Sequence, residues 1–165
     1  GVQRVLKAKD TDLYNVIESI VNGVVLVASP DVNNTNESVF KALEDAEVLL
    51  MSQGASSAYD RMHTALHGFL RQICTNNNIS FVPSDAITAL IPKVSNFIKQ
   101  QPDDGRNQEV FAMLRAASSM LNTINYLRNH HSMSHPNEHL LKESDAKFAI
   151  NLARSIMTYI DELLA

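Results

Sequence analysis

The sequence predicts a single all-α domain of about five to six helices, preceded by an N-terminal segment. Two observations carry this prediction. Apolar residues recur every three or four positions over most of the chain, which is the period of a helix buried along one face. The 165 residues, 45% of them hydrophobic, suffice for one ordinary core but not for two large ones. We place the domain at residues 35–165 and leave residues 1–34 unassigned, apart from a helix over 11–22.

Five apolar stripes mark the helices of this domain, each with members three or four positions apart. In chain order the stripes are Val39, Leu43, Ala46 and Leu50; Tyr59, Met62, Leu66, Phe69 and Ile73; Ile87, Leu90, Val94 and Phe97; Val110, Leu114, Ala117, Leu121 and Ile124; and Ala149, Ala153, Ile156, Ile160 and Leu163.

Helix ends are predicted from capping and turn residues. Glu37 follows Asn34 by three positions, as in a capping box, and the asparagines at 76–78 end the second helix. Pro83-Ser84 opens the third, which Pro92 should kink or divide. The polar run 100–105 separates the third and fourth helices. Ser144 is the predicted N-cap of the last one, with Asp145 in its first turn.

Composition excludes several classes of protein. A formal net charge of −4 argues against a broad DNA-coating surface, so any nucleic-acid contact should be local. The one cysteine, Cys74, lies among apolar residues and predicts a buried thiol in a reducing cytoplasm. We find no bilayer-spanning run and no signal-peptide pattern, and we expect no membrane association. The sequence also lacks a glycine-rich phosphate loop and a nucleophile elbow.

The fourth stripe leads into a cluster of basic side chains. Continuing its register past Ile124 reaches Arg128, His131 and His135, so basic residues replace apolar ones on the same line. Arginine binds phosphate bidentately, and imidazole takes up and returns a proton near neutral pH. With the 2′-hydroxyl of RNA as an internal nucleophile, these groups provide a cation, an acid and a base without a metal.

A purely structural interpretation of the same residues is also open. Arg128 then stabilises the carboxyl end of its helix, where cations favour the dipole, and His135 packs beside Pro136 in a loop. Asn129 is then a helix terminator rather than a ligand. Tyr126 is either a base-stacking aromatic or, the interpretation we prefer, a core tyrosine with its hydroxyl at the surface.

The second helix carries the other histidines on its polar side. His67 and Arg71 lie on that face and His63 at its border, which suggests a second wall of the same cleft. The alternative is a solvated face with a local contact from Asp60 to His63 or Thr64. His63 and His67 are spaced for zinc, but there is no glutamate after His63 and no cysteine cluster, so we predict no metal and no cofactor. Besides Met62 of the second stripe, the methionines at 51, 113, 120, 133 and 157 are predicted to fill the core.

Two motifs resemble a known family. Arg128-Asn129 followed by His135 resembles the Arg-(four to six residues)-His motif of the HEPN superfamily, here with six intervening residues. The run Gly54-Ala55-x-x-Ala58-x-x-Arg61-x-His63-Thr64-Ala65-Leu66-His67-Gly68-x-Leu70-Arg71, with Leu127-Arg128-Asn129 and Ser134-His135-Pro136-Asn137, resembles the C-terminal domain of abortive-infection (Abi) phage-defence proteins. The resemblance covers about residues 36–164.

This resemblance implies a HEPN-like helical bundle that dimerises so that both Arg/His motifs line one cleft. It also implies a metal-independent endoribonuclease that acts as a toxin and leaves a 2′,3′-cyclic phosphate. Arg128, Asn129 and His135 would be catalytic, while His63, His67, Arg71 and His131 would support them or contact RNA. We also expect a sensor domain N-terminal to Gly1. The alternative is a non-catalytic dimerisation or regulatory module of a larger defence protein.

Overall fold

The computed structural model describes Ala28 and residues 37–102, 105–131 and 142–165, with the backbone alone for Ile124 and residues 127–131. Within these ranges the chain forms helices and no strand, which confirms the all-α prediction. The helices are α1 (Glu37–Gln53), α2 (Ala55–Asn76), α3 (Ile87–Lys99), α4 (Asn107–His131) and α5 (Glu143–Leu164). The predicted helix over 11–22, Asn34 of the capping box and Met133 lie outside the described residues.

Helix α2 is the centre of the bundle. It packs against α1, α3 and α5, and α3 in turn packs against α4. The side chains of α2 that the stripe predicted to be buried are all buried, and those of α1 and α5 are buried except for the half-exposed Leu163. In α3 the buried face shifts from Phe97 to Ile91 and Ile98. The apolar stripes therefore identified the helix faces that form the core.

The start of α2 is fixed by a side chain from α5. Gly54 precedes the helix with φ at +89°, a conformation that favours glycine. The carboxylate of Glu143 accepts hydrogen bonds from the backbone N–H groups of Ala55 and Ser56, at 2.8 and 3.2 Å. Lys142, without a capping side chain, is the N-cap of α5. The predicted Ser144 cap was therefore wrong, because Ser144 already lies inside the helix.

The third helix begins later than predicted. Val82 and Asp85 form a turn in which the Asp85 N–H donates to the Val82 carbonyl at 2.9 Å, so Pro83-Ser84 belongs to the turn and α3 starts at Ile87. Pro92 does not divide α3, which runs unbroken to Lys99. Its ring removes only the hydrogen bond to the Thr88 carbonyl, and Pro92 lies on an exposed side of the helix, so the loss of one bond does not end it.

Two buried polar features lie within this core. Arg154 of α5 is 1% exposed and forms an ion pair with Glu47 of α1. Cys74 is buried as predicted, and burial raises the pKa of its thiol. The methionine prediction was wrong in part: Met157 is buried, but Met51, Met113 and Met120 are 39%, 53% and 41% exposed. None of the described helices has the length and apolar character needed to cross a membrane.

Candidate functional site

The Arg128 motif lies at the carboxyl end of α4. Arg128, Asn129 and His131 fall in the last turn of this helix, which ends at His131. His135 lies outside the described residues. The inward stripe that leads to the motif is buried at Val110, Leu114, Ala117 and Leu121. The core therefore fixes the helix that carries Arg128 and Asn129.

His63 is the histidine of α2 that lies next to α4. Its ring is half-buried and meets Tyr59 edge to face, with centroids 6.5 Å apart and planes at 68°. Both side chains line a small hollow together with Leu121 and Asn125 of α4. Asn129 follows Asn125 by one helical turn, about 6 Å along the axis. The bundle thus brings His63 close to the turn that carries the motif.

His67 and Arg71 contact a different part of the molecule. The Nε2 atom of His67 lies 2.8 Å from the carbonyl oxygen of Asp85, and since a carbonyl only accepts, this nitrogen carries the proton. The Arg71 guanidinium lies over the Phe81 ring at 5.6 Å. Both side chains hold the connection between α2 and α3, and the structure does not bring them to the hollow that His63 lines. Their contact with RNA stays a prediction.

Asp85 anchors the same connection with its carboxylate. It accepts hydrogen bonds from Lys93 Nζ at 2.6 Å and from the Val82 N–H at 3.1 Å. The bond from Lys93, with a smaller contribution from Val82, lowers the pKa of Asp85 from its ordinary value. A second bond from Lys93 to the Ser80 carbonyl, at 3.1 Å, closes the loop onto α3. This segment is a structural brace for α2 and α3.

Tyr126 is a surface residue rather than a core residue. Its side chain is 60% exposed, so the preferred core interpretation was wrong. Its exposure results from its position, which is on the face of α4 away from the buried stripe. With Asn122, Thr123 and Asn125 it lines an open depression of about 460 Å³ directly before the motif. An exposed aromatic at this place has the chemistry needed to stack on an unpaired base.

Two alternative interpretations of the α2 histidines were zinc binding by His63 and His67, and a local contact from Asp60 to His63 or Thr64. No group of three or more His, Cys, Asp or Glu side chains with metal-binding geometry occurs among the described residues. His63 and His67 have separate surroundings, in the hollow beside α4 and at the Asp85 carbonyl. The local contact on the polar face is made by the Thr64 hydroxyl, which donates to the Asp60 carbonyl at 2.9 Å.

A larger cleft between α3 and α4 was missed in the sequence. Its volume is about 610 Å³, and its lining includes Phe111, Arg115 and Asn122. The only sequence signal for it was the spacing of these residues, which places them on one face of α4 opposite the buried stripe. The sequence pattern of this face is that of an ordinary solvated surface, because the residues of α4 alone do not indicate how α3 packs beside them.

The fold and the position of the motif define the chain as an all-α bundle with a basic motif at the end of its fourth described helix. A family model described as Abi_C, HEPN-like domain, matches residues 36–164. The chain therefore belongs to the Abi_C family of HEPN-like domains, as the resemblance implied. No significant match was found among curated proteins or solved structures.

Proposed function

We propose that this domain is a metal-independent endoribonuclease, the toxic effector of an abortive-infection defence protein in the cytoplasm. One observation carries the proposal. The chain matches the Abi_C family over residues 36–164, and its Arg128-Asn129 pair lies in the last turn of α4. This turn follows Asn125, which lines one hollow with His63 and another with Tyr126. The turn that carries the motif thus lies one helical turn from the hollow of His63, and Tyr126 is exposed on the other face of α4 just before it.

In this proposal His135 and Arg128 carry out the chemistry. His135 removes the proton from the 2′-hydroxyl, whose oxygen attacks the adjacent phosphorus. Arg128 stabilises the negative charge that grows on the phosphorane, and Asn129 orients the histidine or the phosphate. The bond from phosphorus to the 5′-oxygen then breaks and that oxygen takes a proton from an imidazolium. The products are a 2′,3′-cyclic phosphate and a 5′-hydroxyl.

The remaining basic residues have supporting roles. His63 can approach the phosphate from α2, because its hollow reaches Asn125 of α4. His131 lies in the same last turn as Arg128. His67 and Arg71 hold the loop before α3, so we assign them an indirect effect on RNA binding.

A homodimer belongs to the same proposal. Met113 and Met120 are seven residues apart on α4, and both are exposed. That spacing puts them on one face of the helix, where two copies of the chain can bury them against each other. A dimer through α4 brings two Arg128 motifs together. A sensor domain before Gly1 would control when this dimer acts.

The catalytic proposal is tested with purified protein and labelled single-stranded RNA. Wild type should cleave in the presence of EDTA, whereas Arg128→Ala and His135→Ala should lose on the order of 10²-fold or more in rate. Equal cleavage by all three proteins would contradict the assignment. Loss of wild-type activity on chelation would contradict the metal-independent mechanism.

A second candidate is a non-catalytic module that dimerises with or regulates a larger defence protein. It is favoured by the apolar side chains exposed on α1, where Phe40 and Val48 are 58% and 66% exposed. This module needs the helix faces but not His135. Absence of cleavage by wild type, with intact self-association, would select it.

A further inference from the structure

The cleft between α3 and α4 has a lining unlike the rest of this acidic chain. Although the protein has 18 acidic residues, none lines the cleft among the residues that the structure describes. Arg115 is its one charged side chain there. Serine, threonine and asparagine side chains provide hydroxyl and amide groups, and Ile91, Pro92 and Phe111 provide apolar surface. We define these residues as the α3–α4 cleft.

The charge of Arg115 is available to a ligand. Its side chain is exposed and forms no ion pair with a carboxylate of the described residues. A second cation lies close by, because Lys99 Nζ is 5.0 Å from the centroid of the half-buried Phe111 ring. An anion in the cleft would therefore meet the positive charge of Arg115, with Lys99 on the ring of Phe111 at its border. Arginine is suited to phosphate because its planar group donates two parallel hydrogen bonds.

The other groups of the cleft fit a base and a ribose. Asparagine amides such as Asn96 and Asn122 both donate and accept, as the edges of bases require. Hydroxyl groups can bond the 2′-hydroxyl that distinguishes RNA from DNA. The volume is within the range of small-ligand sites.

The cleft is continuous with the depression that contains Tyr126. Asn122 lines both the cleft and the depression that contains Tyr126. Arg115, Asn122 and Tyr126 fall on the same side of α4, and Arg128 follows Arg115 by 13 residues. That separation is about 20 Å along the helix axis. A single RNA strand lying along this face would pass from the cleft to Tyr126, and it would curve around the end of α4 to reach Arg128, whose register follows the buried stripe on the other side of the helix.

We propose that the α3–α4 cleft is a subsite for one nucleotide of the single-stranded RNA substrate, with its phosphate on Arg115. This inference rests on the proposed ribonuclease function, because it assumes that the strand is cut at the Arg128 motif. The subsite holds RNA at a distance from the cleaved bond, so it contributes to affinity and not to the chemical step. Arg115 is therefore a binding residue and not a catalytic one.

The test measures binding of a fluorescein-labelled single-stranded RNA of mixed sequence, by anisotropy, in a His135→Ala background that prevents cleavage. Arg115→Ala should weaken the affinity about tenfold, because it removes a charged hydrogen-bonding group from a phosphate. It should also reduce the slope of log affinity against log salt by about 0.7. Ser119→Trp, which fills the exposed mouth of the cleft, should weaken binding to a similar degree.

Two matched controls remove the same charge and add the same bulk elsewhere. Arg61 is exposed on α2, 4.0 Å from Asp45, and lies outside the cleft. Ser155 is exposed on α5. Arg61→Ala and Ser155→Trp should change the affinity less than twofold, and all four variants should keep the wild-type melting temperature.

The outcomes separate this subsite from the ribonuclease proposal. If the wild-type protein cleaves RNA and Arg115→Ala, made in a chain that keeps His135, has the same KM, the subsite is overturned and the enzyme proposal stands. Arg115-dependent binding without any cleavage supports the subsite and removes the enzyme proposal. Equal losses for Arg115→Ala and Arg61→Ala, or no RNA binding at all, overturn the subsite. Unchanged affinity for Ser119→Trp also overturns it.

Discussion

Glu143 connects the first turn of α5 to the first turn of α2. Its carboxylate satisfies two N–H groups that a helix start leaves without partners, and it does so across 88 residues of sequence. We predict that Glu143→Ala lowers the free energy of unfolding by about 1 kcal/mol, the usual effect of losing a cap. The measurement is equilibrium unfolding in urea.

Glu162→Ala is the matched control for this prediction. Glu162 is an exposed glutamate in the last turn of the same helix. Its removal should leave stability unchanged or slightly higher, because an acidic side chain is unfavourable at a helix carboxyl end. Equal destabilisation by both variants would contradict the capping role of Glu143.

Asp85 gives the fold a defined response to acid. Its hydrogen bond from Lys93 lowers its pKa below the ordinary value of 3.8, so the folded protein binds the proton less tightly than the unfolded chain. The stabilisation is complete above the unfolded pKa and is lost as pH falls through the lower, folded pKa. We predict that Asp85→Asn is less stable than wild type at pH 6 and that the difference shrinks below about pH 3.9.

Urea unfolding of both proteins between pH 6 and pH 2 checks this dependence. Asp45→Asn is the control, since Asp45 has only a 4.0 Å contact with the exposed Arg61. A stability difference for Asp85→Asn that stays constant down to pH 2 would be inconsistent with the proposed cause.

The sequence predicted single residues well where the signal was local. The buried Cys74 was predicted from its apolar neighbours. The role of Glu143 could not be found in this way, because its partners are set by the packing of α5 on α2. The same applies to His67, whose partner is a backbone carbonyl in the following loop.

At the level of elements, α1 and α2 approach each other closely at Gly68. A methyl group added to Gly68 would lie 2.7 Å from Val39 Cγ2, a buried and rotationally stiff side chain. We predict that Gly68→Ala destabilises the protein by about 1 kcal/mol. Overpacking costs roughly 1–3 kcal/mol, and the better helix propensity of alanine offsets part of it.

A double-mutant cycle with Val39→Ala tests this close approach. Because the smaller side chain leaves room for the added methyl, the double variant should be more stable than the sum of the single changes by at least about 0.5 kcal/mol. Additive effects would show that the contact between Gly68 and Val39 does not limit the packing of α1 on α2.

Helix positions were more predictable than helix ends. The stripes in α1, α2 and α5 follow from burial of one face, which depends only on the period of the helix. The start of α3 was predicted too early because Pro83 and Ser84 favour both turns and helix starts. The Asp85–Lys93 contact, which decides between them, joins residues eight positions apart.

At the level of the whole molecule, the exposed methionines of α4 mark the proposed dimer surface. We predict that replacing Met113 and Met120 together by glutamate converts a dimer into a monomer, because like charges would face each other across the interface. Sedimentation velocity measures the change. The cleavage rate should fall as the dimer is lost. The melting temperature measured at low protein concentration should stay within a few degrees of the wild-type value.

Replacing Phe40 and Val48 of α1 by glutamate gives the matched control, since these apolar residues are at least as exposed as the two methionines. If the control variant loses the dimer and the α4 variant keeps it, the dimer interface lies on α1 and not on α4. The sequence did not reveal this choice, because it predicted the methionines as core.

The central claim is that the Arg128 motif cleaves RNA without a metal. The most direct measurement is the single-turnover rate of RNA cleavage in EDTA for wild type, His135→Ala and His139→Ala, with the ends of the products identified. We expect a 2′,3′-cyclic phosphate, a loss of about 10²-fold or more for His135→Ala, and near wild-type rates for His139→Ala. Undiminished cleavage by His135→Ala, or products with a free 3′-hydroxyl, would contradict it.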